Sequence, residues 1–244
     1  MKILVVFKWS QDPQDARVSA DGAVDWQGVR MSANDDDPAA MAVARDIASP
    51  DGEIVGLTIG DGETAWAAAR GASSTVVVSD ARTNADSAVT GAVLAAGVRR
   101  AGDVDVVVIG DSAWDYGVVA SLAGQLGWPA LANVLSVEKR DGALRATRKI
   151  GSGTQIVDVT GPAVLAVVAN RAEQEIPGMK AVLAARKKPV DTIGLADLAI
   201  DPPAVVSSRG TKLPDVPPAQ IIDGSDPKAA AGRLMAALHA ENVL

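Results

Sequence analysis

From residue 110 to 119 the chain reads Gly110-Asp111-Ser112-Ala113-Trp114-Asp115-Tyr116-Gly117-Val118-Val119. This is a strand-to-helix turn with the makings of a phosphate cradle. Gly110 lets a backbone approach closely, and Gly117 precedes a helix, expected to open at Val118, whose free N–H groups and dipole favour an anion. Asp35-Asp36-Asp37 is a second concentration of chemistry-bearing side chains. It could hold a divalent ion, but an acidic run followed by Pro38 reads better as a solvated loop with Asp37 as a helix N-cap and proline in the first turn. Arg186-Lys187-Lys188-Pro189 could form an anion patch, and reads as a solvated helix end. Five tryptophans could stack on a flat heteroaromatic ligand, and each reads first as core or rim packing. No catalytic residue and no metal site is expected. There is no cysteine, so disulfides, thiol nucleophiles and thiolate-held clusters are excluded. The single histidine, His239, lies in the C-terminal tail, far from these loops in sequence. Neither a G-x-G-x-x-G nor a Walker A pattern occurs, so an ordinary dinucleotide or P-loop site is unsupported.

The frame that must position these residues is a core-forming chain. Its 244 residues suffice for one large domain, or one domain with appendages. Apolar residues make up 48% of it, and charges interrupt each apolar run before membrane-spanning length. A net charge of −7 argues against nucleic acid as a partner. The opening Met1–Lys8 reads as a first strand, not as a signal peptide, so a cytoplasmic location is expected.

Short Val/Ile runs at Lys2–Phe7, Glu53–Ile59, Thr75–Ser79, Asp105–Ile109 and Val164–Ala169 alternate with alanine-rich helical stretches. That alternation predicts an α/β fold: a doubly wound, mostly parallel sheet. After Asp37-Pro38, Ala40, Val43, Ala44 and Ile47 form one apolar stripe, and Val89, Ala92, Val93 and Ala96 form another after Thr83–Asp86. Residues Val134–Val159 alternate around Asp141-Gly142, a hairpin signal, and continue through a Gly-Ser-Gly turn at 151–153. They predict an antiparallel excursion before the last parallel strand. Beyond Ile200 come Asp201-Pro202-Pro203, Pro214 and Pro217-Pro218. Asp226-Pro227 then opens a helix with Ala231, Leu234, Met235 and Leu238 on one side. The chain therefore divides into an α/β domain over 1–200 and an extended arm with a terminal helix over 201–244. That helix either docks on a partner or folds back. In a doubly wound sheet a ligand sits beyond the C-terminal ends of the first strand and of the strand that starts the other half. Here these are Lys2–Phe7 and Asp105–Ile109.

A series of segments, in order, resembles the electron transfer flavoprotein beta-subunit family over residues 1 to about 200. They are Val5-Val6-Phe7-Lys8, Asp21-Gly22 with Val24-Asp25 and Gly28-Val29, Met31–Asp37, Ile59-Gly60, Gly71-Ala72 and Leu126-Gly127-Trp128-Pro129. Glu173, Ile176–Ala181, Lys187-Lys188-Pro189 and Asp197-Leu198 continue the series.

The resemblance implies a Rossmann-like fold of the adenine-nucleotide alpha-hydrolase type. It also implies an electron carrier without bond-making catalysis of its own, paired with an alpha subunit that holds most of a shared FAD. A flavoprotein dehydrogenase would donate electrons, docking on Ile176, Pro177, Gly178, Met179, Lys180 and Leu183. Matched position by position, the nucleotide site falls on Val6, Asn34, Asp35, Asp36, Asp37, Ile59 and each residue from Gly110 to Val119, with backbone N–H groups of Gly117, Val118 and Val119 as phosphate donors. The chain departs from the family pattern in four places, one of them a docking loop that runs longer, from Pro177 to Pro189. The 110–119 loop is shorter and lacks a glutamine, Asp35 stands where proline is usual, and Glu175 where arginine is usual. A tighter, more acidic loop favours AMP over a second FAD, with an unliganded site as a third outcome. A stand-alone adenine-nucleotide-binding regulatory module, similar to universal stress proteins, is the alternative. An ATP-pyrophosphatase would need an S-G-G-x-D-S-like loop where Lys8-Trp9-Ser10-Gln11 stands.

Overall fold

The computed structural model describes residues 1–48, 50, 52–60, 62–83, 85–111, 115–140, 142–169, 176–198, 200, 206, 209–216 and 219–244. Strands β1 Lys2–Val6, β2 Ser10–Gln11, β3 Arg17–Val18, β4 Val24–Asp25 and β5 Met31–Ser32 precede helix α1 Asp37–Ile47. Strand β6 Glu53–Ile59, helix α2 Ala65–Ala69, strand β7 Ser74–Val78, helix α3 Ser87–Arg100, strand β8 Val106–Gly110 and helix α4 Tyr116–Leu126 then alternate. Strands β9 Ala130–Arg140, β10 Ala143–Ile150, β11 Gly153–Val159 and β12 Ala163–Val167 follow, and then helix α5 Met179–Ala185, strand β13 Val190–Ile193 and helix α6 Pro227–Ala240.

The main sheet has the order β11-β10-β9-β12-β8-β1-β6-β7-β13. Pairing is parallel from β9 through β12, β8, β1, β6 and β7 to β13, and antiparallel between β9, β10 and β11. The fold is α/β with a mostly parallel, doubly wound sheet, as expected. Its central strands β1, β6, β7, β8 and β12 read as apolar runs because both faces are covered. Leu4 and Val6 of β1 enter one core with α3 and α4, while Ile3 and Val5 enter the other with α1 and α2. Each such fully buried aliphatic side chain contributes about 1.5–3 kcal/mol. Small residues bring the helices in close. A Cβ on Gly91 would lie 2.3 Å from Ser121 Oγ where α3 crosses α4, and one on Gly97 would lie 2.8 Å from Leu57 of β6.

The excursion is present as read. Ala143 pairs with Arg140 across a two-residue turn in which Gly142 has φ +85°, Asp141 lying outside the described residues. Ile150 pairs with Gly153 across the next turn. The following strand, β12, is not the last parallel one. Strand β13 adds a further parallel edge beside β7, so Pro189 leads into a strand. Lys188 is likewise not a solvated helix end: its ammonium donates to the carbonyls of Ala68, at 2.9 Å, and Ala72, at 2.6 Å, tying α2 to the end of α5.

By internal contacts the chain forms two units, Met1–Arg17 with Val24–Arg209, and Val18–Ala23 with Gly210–Leu244. In the second, Asp226 caps α6 by accepting from the N–H groups of Lys228 and Ala229, and α6 has no buried residue. Residues 201–205, 217 and 218, with most of the prolines singled out above, lie outside the described set.

Candidate functional site

Strand β1 lies between β6 and β8, with Val6 opposite Leu57 on one side and Ile109 on the other. The chain leaves β1 toward α1 and β6, while β8 opens the other half, so the switch point falls at the C-terminal ends of β1 and β8. A cleft of about 650 Å³, its open mouth included, lies there. Its walls are Val6, Phe7, Lys8 and Trp9 after β1, Asn34 and Asp37 at the start of α1, and Ile59 at the end of β6. Thr83, Ala85, Thr90 and Leu94 contribute from the entry and first turns of α3, and Ile109, Gly110, Asp115, Val118 and Val119 from β8 and α4.

Eight of the residues expected at a nucleotide site therefore line one cleft: Val6, Asn34, Asp37, Ile59, Gly110, Asp115, Val118 and Val119. Asp35 lines a smaller recess that shares Lys8 and Asn34 with the cleft. Tyr116 is exposed. Gly117 packs on α3, a Cβ there lying 2.6 Å from Ser87 Oγ. Ser112, Ala113 and Trp114 lie outside the described residues. Helix α4 opens at Tyr116, not Val118, and the Val118 N–H already donates to the Asp115 carbonyl at 2.9 Å. Sequence reasoning missed Phe7, Lys8, Trp9, Thr83, Ala85, Thr90, Leu94 and Ile109 as lining residues. Lys8 and Trp9 were within reach, since they directly follow the first strand. Thr90 and Leu94 stand four apart, on a stripe beside the one that faces the sheet.

The aspartates form the framework of the site. Asp35 is exposed and Asp36 half-buried, but Asp37 is 2% exposed, so the acidic loop is solvated only in part, and Asp37 is the first residue of α1 instead of its cap. Asp36 occupies the cap position, in helical backbone geometry and without a capping hydrogen bond. Asp37 Oδ2 accepts from the N–H of Lys8 at 2.9 Å and of Asn34 at 3.0 Å, stitching β1 to the α1 entry. Burial pushes its carboxyl up to about 7, against those two hydrogen bonds. Asp36 Oδ1 accepts from Ala169 N–H at 2.7 Å, and burial raises its carboxyl as well. Asp111, also buried, accepts from the N–H of Asn133, which holds φ +57° where β9 shifts register against its neighbours. Gly110 is required by this framework, since a Cβ would lie 2.7 Å from Asp37 Oδ1 and 3.0 Å from Asp36 Cβ.

Other sequence-selected features fall elsewhere. Trp66 is buried, stacked on Phe7 with centroids 5.1 Å apart, and carries the Arg70 guanidinium 4.2 Å above it. Ile176 is 86% exposed, Met179 80% and Leu183 56%, with Gly178 at the N-cap of α5 and Ala185 buried against α2. Pro177 is half-buried and Lys180 exposed. Glu173 and Glu175 lie outside the described residues. Among the described residues no helix is long and apolar enough to cross a membrane.

The model of the electron transfer flavoprotein domain matches residues 21–198, the span that carries every strand of the main sheet except β1. The chain belongs to the electron transfer flavoprotein domain family.

Proposed function

We propose that this chain is the beta-type subunit of a heterodimeric electron transfer flavoprotein. In this reading it shares an FAD held mainly by an alpha subunit and binds AMP in the switch-point cleft. Members of the family are electron carriers associated with flavin. The observation that carries the finer reading is the cleft, which gathers residues from the β1, β6 and β8 ends at the nucleotide position of a doubly wound sheet. Its walls suit a mononucleotide. Val6, Ile59, Leu94, Ile109 and Val118 offer apolar faces to a flat base, while Asn34, Thr83 and Thr90 offer hydrogen-bonding side chains. No bond chemistry is assigned to these residues. They bind and orient, and the redox steps belong to the flavin when bound. Ile176, Met179 and Leu183, exposed together on one short helix and its approach, suit a surface that meets an electron-donating flavoprotein dehydrogenase. A self-contained regulatory module would have no use for them.

Co-expression tests the pairing. Alone, the chain should be colourless and partly aggregated, whereas co-expression with a flavin-binding alpha subunit should yield one yellow complex. A monomeric single chain saturated with FAD would contradict the proposal.

A further inference from the structure

We propose that Lys8 is the charge partner for the anionic end of the cleft's ligand, and that Asp115 competes with that anionic group for the same ammonium. The inference rests on the nucleotide reading above and assigns it a specificity device. Lys8 enters the cleft directly after β1 and Asp115 directly before α4, so their ion pair ties one wall to the other. Among the described residues that line the cleft, Lys8 is the one cation, set against the Asp115 carboxylate and the buried carboxyl of Asp37. An anionic group entering here meets repulsion unless Lys8 turns to it. The side chains of the pair are 32% and 36% exposed, so exchanging partners needs no unpacking, and pairs this accessible are weak.

Asp115 carries a second mark of this role. It stands at the N-cap position of α4, yet its side chain makes no capping hydrogen bond. Asp86 and Asp226, in the same position on α3 and α6, each accept from two backbone N–H groups. The Asp115 carboxylate is turned to Lys8 instead. Released from Lys8, it stands where a carboxylate caps a helix, so the exchange strands neither charge. A ligand without an anionic group leaves the pair intact, and one with such a group must outcompete Asp115. Discrimination between the two is therefore set by Lys8 and Asp115 together.

The test is the ratio of AMP to adenosine affinity. It is measured by titration on the full chain, purified with any subunit that accompanies it and freed of nucleotide. Asp115→Asn should raise the ratio about three- to fivefold by removing the competitor. Lys8→Gln should lower it about tenfold, Lys8→Arg should restore most of it, and the gain from Asp115→Asn should shrink in the Lys8→Gln background. An unchanged or lowered ratio in Asp115→Asn, with AMP still bound by the wild type, overturns the inference and leaves the nucleotide site standing. Equal loss of AMP and adenosine in Lys8→Gln overturns it too, since Lys8 would then be packing and not pairing. Should Lys8→Gln lose its fold by circular dichroism, Asp115→Asn alone decides. A wild type that binds neither ligand removes the nucleotide reading and this inference with it.

Discussion

Burial raises the carboxyl of Asp37 to about 7 in a position where it accepts two backbone N–H groups and faces Asp36. The fold therefore binds a proton that the unfolded chain, with an ordinary carboxyl near 3.8, has already released. Stability from this group is fully present below about pH 3.8 and is lost as pH rises to about 7. The raised Asp36 carboxyl adds a change of the same sign, whereas the lowered carboxyls of Asp21, Asp86, Asp158 and Asp223 act in the opposite direction. The measurement is therefore a difference between two proteins. Asp37→Asn keeps an acceptor oxygen and cannot ionise, so its stability relative to wild type should improve steadily from pH 5 to pH 7.5 in urea denaturation. A difference that stays flat over that window would mean that Asp37 is ionised throughout. Sequence alone pointed to this run of aspartates but set its cap one residue late. In Asp35-Asp36-Asp37-Pro38 an N-cap signal fits more than one position. A shift of a single residue turns a solvated cap into a buried acceptor.

At the level of elements, most of the sheet was legible because strands covered on both faces must be unbroken apolar runs. Residues Glu53–Ile59 were read with the bounds they have. The missing strand, β13, is four residues long at the sheet edge, with Val190, Asp191 and Thr192 exposed, so no buried run announces it. The cleft was legible in part for a related reason. Its position follows from strand order, but Thr90 and Leu94 line it from α3, which packs closely on α4 at Gly91 and on β6 at Gly97, and spacing does not reveal that packing. Helix α5 is anchored through Ala185, and Lys188 just beyond it holds the carbonyls of Ala68 in α2 and of Ala72 after it. Met179 and Leu183 are exposed. Replacing both with alanine should leave unfolding free energy within about 0.5 kcal/mol of wild type. It should also lower donor-dependent flavin reduction about tenfold at limiting donor if the helix is a docking surface. A fall in flavin content or melting temperature of the same extent would show that the two residues pack internally.

For the whole molecule, the family assignment spans residues 21–198, and the finer account adds a partner and a second nucleotide. Helix α6, capped by Asp226 yet with no buried residue, exposes Leu234 and Met235, and an alpha subunit is the proposed cover for them. The central claim is that the switch-point cleft holds AMP while the FAD belongs mainly to the partner. The most direct measurement is to denature the purified complex and quantify the released nucleotides by chromatography and absorbance. The account predicts about one AMP and one FAD per heterodimer. Two FAD per heterodimer, or one FAD with no other nucleotide, would contradict it.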